Sequence, residues 1–222
     1  MNRFIRIRVT EESVPLEKVA ERAKRMQLQP GASRGFEIVL ATRTKLILNW
    51  SEKIVTERRI DEGLFTGTSY EEVRFIAFSL MFTPTSNDLI LIDPPLGKHK
   101  VHSVLRELFG FENFLFRPIN VRSSLGILRK GRKGVVMGIE TDPVAVEPKI
   151  CYSMIVSGYG NLLKYIADTH PQRSCNLRAA HLELTVPSGP TLRVTLSASG
   201  LVRFSAEVAY GDIEDIASEL IE

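Results

Sequence analysis

Between Arg3 and Val9 the chain alternates, with Ile5, Ile7 and Val9 on one side and Arg6 and Arg8 on the other. A period of two reads as a strand with one wet face. The period lengthens after Pro15. Leu16, Val19, Ala20, Ala23 and Met26 recur at helical spacing, with Lys18, Arg22 and Arg25 opposite. Ser13 is placed to cap this helix, and Pro15 fits its first turn. "QPGASRG" breaks the pattern. "FEIVLAT" and "KLILNWS" then predict two strands around a tight turn at Arg43 and Thr44, and "EKIVTERRI" extends that meander.

"TGTSYEEVRFIAFSLMF" fits both periods. Ser69 and Glu72 have capping-box spacing, and Val73, Ile76, Ala77 and Leu80 follow as on a helix. Val73, Phe75, Ala77, Ser79 and Met81 equally fit a strand. The reading adopted is a buried helix with Phe75, Phe78 and Phe82 in the core. "NDLILID" predicts a short strand ending in Asp93, stopped by two prolines. "KHKVHSVLRELFG" predicts an amphipathic helix, with Val101, Val104, Leu105 and Leu108 inside and Gly110 as its C-terminal cap. "FLFRPINV" reads as a strand that Pro118 places at an edge or a bend.

The last third is the most regular. "HLELTV", "LRVTL" and "VRFSAEV" alternate around two turns, which predicts a three-stranded meander with one apolar face. Asp212 then opens a short helix carrying Ile213, Ile216, Ala217 and Leu220 to cover that face. Before it, "KICYSMIVSG" and "GNLLKYIADTH" predict a strand and a helix. "SSLGILRK" and "VVMGIE" predict a β-hairpin near residues 124–140, its connection carrying Gly131 and Gly134. "TDPVAVEPK" holds two prolines and reads as a linker. The expected fold is therefore α+β, mainly antiparallel sheets with covering helices. Its two lobes would be residues 1–140, including the hairpin, and 150–222, including the meander and terminal helix.

Charge gives the hairpin its interest. The 222 residues carry a net charge of only +3, but it is unevenly spread. Nine bases (98, 100, 106, 117, 122, 129, 130, 132 and 133) face two acids from Lys98 to Lys133, and six acids face no base from Ala206 to Glu222. A hairpin tip holding Arg129, Lys130, Arg132 and Lys133 repels itself unless acids lie nearby or a polyanion neutralises it. Arg122, Lys98, Lys100 and Arg106 add positive charge nearby in sequence. Together these eight residues are the candidate nucleic-acid-binding set, contacting the phosphate backbone of DNA or RNA without reading bases. The acidic C-terminal helix is a candidate surface for a protein partner.

Other chemistry is weakly signalled. "GRKG" has the spacing of the KH-domain loop, but that loop joins two helices and β-like "VVMGI" follows here, so the family is not assigned. Gly158 and Gly160 lack the third glycine of a dinucleotide fingerprint, Leu163 holding its place. His99 and His102, with His170 and Cys175, would make zinc ligands only if joined in space. Asp142, Glu147 and Lys149 offer a nuclease-like "D…ExK" interrupted by prolines, and Asp93 has no clear partner. His181 falls on the outer face of the last sheet. Cys151 reads as a small buried hydrophobe. Two cysteines give no disulfide framework, and neither a signal peptide nor a membrane-spanning run is visible. The expectation is a cytoplasmic, non-catalytic nucleic-acid-binding or nucleoprotein-complex subunit, without cofactor, metal or membrane. The alternatives are a protein-interaction subunit and, behind it, a metal-dependent nuclease or hydrolase.

Overall fold

The order of elements follows the hydrophobic pattern closely, with two exceptions. In a computed structural model they run β1 (Arg3–Val9), α1 (Leu16–Arg25), β2 (Arg34–Ala41), β3 (Leu46–Ile60), β4 (Thr68–Phe82) and β5 (Asp88–Ile92). Then come α2 (Lys98–Phe109), β6 (Phe114–Phe116), α3 (Val121–Arg132), β7 (Val135–Thr141), β8 (Val144–Glu147) and β9 (Ile150–Tyr152). Last are β10 (Ile155–Ser157), α4 (Leu162–Thr169), β11 (Leu177–Thr185), β12 (Thr191–Ser197), β13 (Leu201–Phe204) and α5 (Tyr210–Glu219). The structure describes residues 3–9, 15–60, 68–82, 88–95, 97–110, 114–132, 134–142, 144–147, 150–158, 161–169, 176–185 and 191–220. Ser13 lies outside them.

The chain forms two compact units: Met1–Ile7 with Phe116–Glu222, and Arg8–Leu115. This division differs from the lobes 1–140 and 150–222. β8, inside the stretch read as a linker, pairs with β9 just beyond it as a small antiparallel sheet.

In the unit Arg8–Leu115, β2, β3, β4 and β5 form an antiparallel meander. The turn between β2 and β3 is the expected one. Thr42 closes it, its amide donating to the Lys45 carbonyl (2.8 Å) and its hydroxyl accepting from the Lys45 amide (2.9 Å). Trp50 and Phe36 meet edge to face at 4.7 Å among the buried side chains Leu48, Leu80 and Phe82. Val19 and Ala23 are the buried positions of α1. Arg22, on the side expected to be solvated, instead donates to the Leu108 (3.3 Å) and Phe109 carbonyls. It thereby satisfies orphan carbonyls at the end of α2, where Gly110 takes the αL conformation (φ 81°).

The first exception is residues 68–82, which form strand β4 and not a helix. A near-continuous apolar run satisfies either period, and here an upstream strand of equal length decides it. β3 and β4 pair over all 15 positions, from Leu46–Phe82 to Ile60–Thr68. Phe78 and Phe82 are core as expected, but Phe75 is 76% exposed. β2 pairs with β3 only as far as Glu52, and β5 pairs with β4 only from Ser79. Beyond Lys53 and Phe75 the two strands pair only with each other among the described residues, a ribbon roughly 20 Å long at strand rise.

One face of this ribbon is tied by ions. Arg58 Nε and Arg74 Nε each donate to Glu72 at 2.7 Å. The Arg74 and Arg58 guanidiniums, chiefly by these hydrogen bonds, hold the Glu72 carboxyl below its ordinary range.

The other unit has the sheet order β10-β7-β11-β12-β13-β1, antiparallel throughout. The predicted meander is present. Leu182, Leu184, Leu192, Val194, Leu196, Val202 and Phe204 are all buried, and Phe4 joins them against Phe204 at 5.8 Å. Helix α5 buries Ile213, Ile216 and Ala217. Asp212 lies inside its first turn and is itself buried; Ala209 is the cap. The Arg6 side of β1 is not wet. Arg6 is 6% exposed and donates to the Leu220 carbonyl at 2.8 Å, closing the end of α5.

The second exception is the hairpin. Its first arm is helix α3, and its second arm, β7, pairs with β11 and β10. Asn120 starts the helix, its Oδ1 accepting the Ser123 amide at 3.2 Å. Val121, Ser124, Leu125 and Leu128 are the buried positions, spaced at three, four and seven residues, and α3 packs against β11. Gly134 is required: a Cβ there would lie 2.4 Å from Leu184 Cδ2. Gly126 is not required, since a Cβ there would meet nothing within 4 Å.

Two outcomes are expected. Gly126→Ala should stabilise the protein by about 1 kcal/mol, read as a rise in Tm of roughly 2–4 °C. Glu72, with a lowered folded pKa, contributes stability at neutral pH that is lost as the pH falls through that value. A carbon-detected NMR titration should place Glu72 below the free glutamate value of about 4.3, and Arg74→Ala should move it back up.

Candidate nucleic-acid interface

Once the apolar stripe of α3 is buried, helical geometry decides where its charges go. Arg122, Ser123, Gly126, Arg129 and Lys130 are exposed, and their spacing places them on one solvent face. Arg122 and Arg129 stand about 10 Å apart along the axis at helical rise. The helix contains no acid. Arg129, Lys130 and Arg132 occupy its last turn, where the helix dipole favours cations. Clustering these charges is therefore less costly than at a hairpin tip.

Arg132 points elsewhere. Its Nε lies 2.9 and 3.0 Å from the two Glu219 carboxylate oxygens, and its Nη2 lies 2.8 Å from Oε1. Its side chain is only 7% exposed. This is a two-pronged pair of the kind arginine forms with carboxylates. Arg132 ties α3 to α5 and is withdrawn from the phosphate-binding set. Glu219 is likewise taken from the acidic surface expected to meet a protein partner.

The other expected residues are dispersed. Lys133, and the side chain of Lys98, lie outside the described residues. Lys100 forms a partly buried ion pair with Glu52 of β3 and is also withdrawn. Arg106 lines a depression of about 320 Å³ with His99, His102 and Ser103 along one face of α2. Lys100 and Arg106 belong to the unit Arg8–Leu115, whereas α3 belongs to the other. The eight residues thus do not form one cluster within a unit. Arg122, Arg129 and Lys130 do, joined by Ser123 and Gly126, which a search for charge alone overlooks.

The remaining candidates for chemistry are not assembled. No group of three or more metal-ligating side chains occurs among the described residues. His170, Cys175, Lys149, Gly160 and the side chains of Glu147 and Cys151 lie outside them. Asp93 directly follows β5 with φ 52°, a positive value outside glycine. His181, its side chain 40% exposed on the outer face, is also held: Nδ1 lies 3.0 Å from Thr195 Oγ1 and Nε2 3.1 Å from Glu140 Oε1. Gly138, directly across from His181, makes room for the ring, since a Cβ there would lie 3.1 Å from its Cδ2. The order hydroxyl, imidazole, carboxylate resembles a nucleophile and its base. However, Thr195 stands within paired strands whose amides are used in the ladder, leaving no donors there for an oxyanion. The three side chains form a cross-strand clasp.

No known family model matches the chain, and no curated protein matches it in sequence. No described helix is long and apolar enough to cross a membrane.

Arg132→Ala should cost about 1.5–3 kcal/mol, the range for hydrogen bonds to charged groups. Urea denaturation would read this as a lower midpoint at unchanged slope.

Proposed function

We propose that this protein is a non-catalytic, cytoplasmic nucleic-acid-binding subunit of a nucleoprotein complex. It contacts phosphate backbone through the solvent face of α3. The observation that carries this reading is the set Arg122, Arg129 and Lys130 on one acid-free helix face. Gly126 leaves the centre of the face without a side chain, so a phosphate strand can approach the helix closely. Contacts of this kind position a strand without reading its bases. DNA and RNA are both admitted.

The test is fluorescence anisotropy with labelled single- and double-stranded DNA and RNA over a salt series. Binding should weaken with salt, and changing Arg122, Arg129 and Lys130 together to Glu should lower the slope of log K against log salt by about 3. Arg203→Glu changes charge on the opposite, open face of the same sheet and should leave binding nearly intact. No binding at low salt to any of the four nucleic acids would overturn the reading. The alternative, a protein-interaction subunit, would then stand, with a stoichiometric partner that survives nuclease treatment as its mark.

A further inference from the structure

The β3–β4 ribbon has two unlike faces. On one, Arg58, Glu72 and Arg74 neutralise one another. On the other, the cross-strand rows read Lys53–Phe75, Val55–Val73 and Glu57–Glu71. Phe75 is 76%, Val55 49% and Val73 43% exposed. Two glutamates stand directly opposite one another, an unfavourable cross-strand arrangement, and no cation pairs with either among the described residues. A two-stranded ribbon is at best marginally stable alone. This one nevertheless presents an uncovered apolar row between a cation and a pair of acids.

That order is self-complementary. Consider two ribbons packed face to face, related by a two-fold axis that runs across the strands through the Val55–Val73 row. The axis inverts the rows. The Lys53–Phe75 row of each copy then lies over the Glu57–Glu71 row of the other, and the valine rows meet at the centre. Stacking in the same direction would instead exchange the strands and place Lys53 on Phe75 and the acid pair on the acid pair. A nucleic acid is disfavoured here by the two glutamates. We propose that this face is the contact between two copies of the chain, packed ribbon on ribbon in antiparallel sense. The contact is isologous, as in most homodimers, and its charges select the orientation. With three cross-strand rows on each ribbon, the contact is a weak one that forms at high protein concentration.

The test is sedimentation equilibrium of the full chain over a concentration series up to roughly millimolar, spanning weak affinities. Wild type should pass from monomer to dimer. Lys53→Glu in one variant, and Glu57→Lys with Glu71→Lys in a second, should each weaken self-association by roughly tenfold or more. An equimolar mixture of the two should restore it, because one ribbon is then all acidic and the other all basic at these positions. Circular dichroism would confirm that both variants fold. A monomer at every wild-type concentration, variants that dimerise alone as well as wild type, or a mixture that stays monomeric would each overturn the proposal.

Discussion

The need to cover one apolar sheet face governs the unit that carries the candidate interface. Leu182, Leu184, Leu192, Val194, Leu196, Val202 and Phe204 all bury on that face. Burial of this kind is the dominant favourable term in folding. Helix α3 contributes to it by turning Val121, Leu125 and Leu128 inward. At 3.6 residues per turn, the orientation of every other side chain on the helix then follows. Arg122, Arg129 and Lys130 are forced outward, and Arg132 is carried to Glu219 on α5. The basic face is thus a consequence of packing as well as a feature of composition.

The same geometry explains which parts of the fold were legible in the sequence. The meander β11–β12–β13 was legible because each strand is apolar on one side only, so its period is unambiguous. Helix α2 was legible for the same reason, with Gly110 as an added stop. Strand β4 was not. Its residues from Phe75 to Phe82 are apolar in nearly every position, and such a run fits a buried helix as well as a strand. The deciding fact was non-local: β3 supplies an equally long partner. Helix α3 was misread for the opposite reason. Asn120 and the spacing of Val121, Leu125 and Leu128 were visible, but Gly131 and Gly134 suggested a turn. Gly131 proves to be an exposed helical position, and of the two only Gly134 is demanded by a close approach.

The two charged segments were legible as charge but not as partners. Part of the basic segment meets acids within the folded chain: Arg132 meets Glu219, Lys100 meets Glu52, and Glu107 takes Arg34 at 3.5 Å. A count along the sequence cannot separate these from charges left facing solvent, because it lacks the third dimension that pairs them. Arg22 and Arg6 teach the same lesson. Both read as wet-face cations, and both close helix ends through backbone carbonyls. Long basic side chains on a strand or helix are as available to orphan carbonyls as to a ligand.

Placing Arg129 and Lys130 on a helix instead of a hairpin tip changes the physics of any contact they make. A tip must be ordered when it binds, and the ordering opposes affinity. The α3 backbone is already fixed by its packing on β11, so only side-chain rotamers remain to be immobilised. Gly126 bears on the same point. An exposed glycine in a helix interior is less stable than alanine by about 1 kcal/mol, and a Cβ at Gly126 would meet nothing within 4 Å among the described residues. Its absent side chain lies between Arg122 and Arg129, which is where a strand bridging the two guanidiniums would come nearest the helix. A concession in stability at the middle of a basic face is understandable if that face is meant to be approached closely.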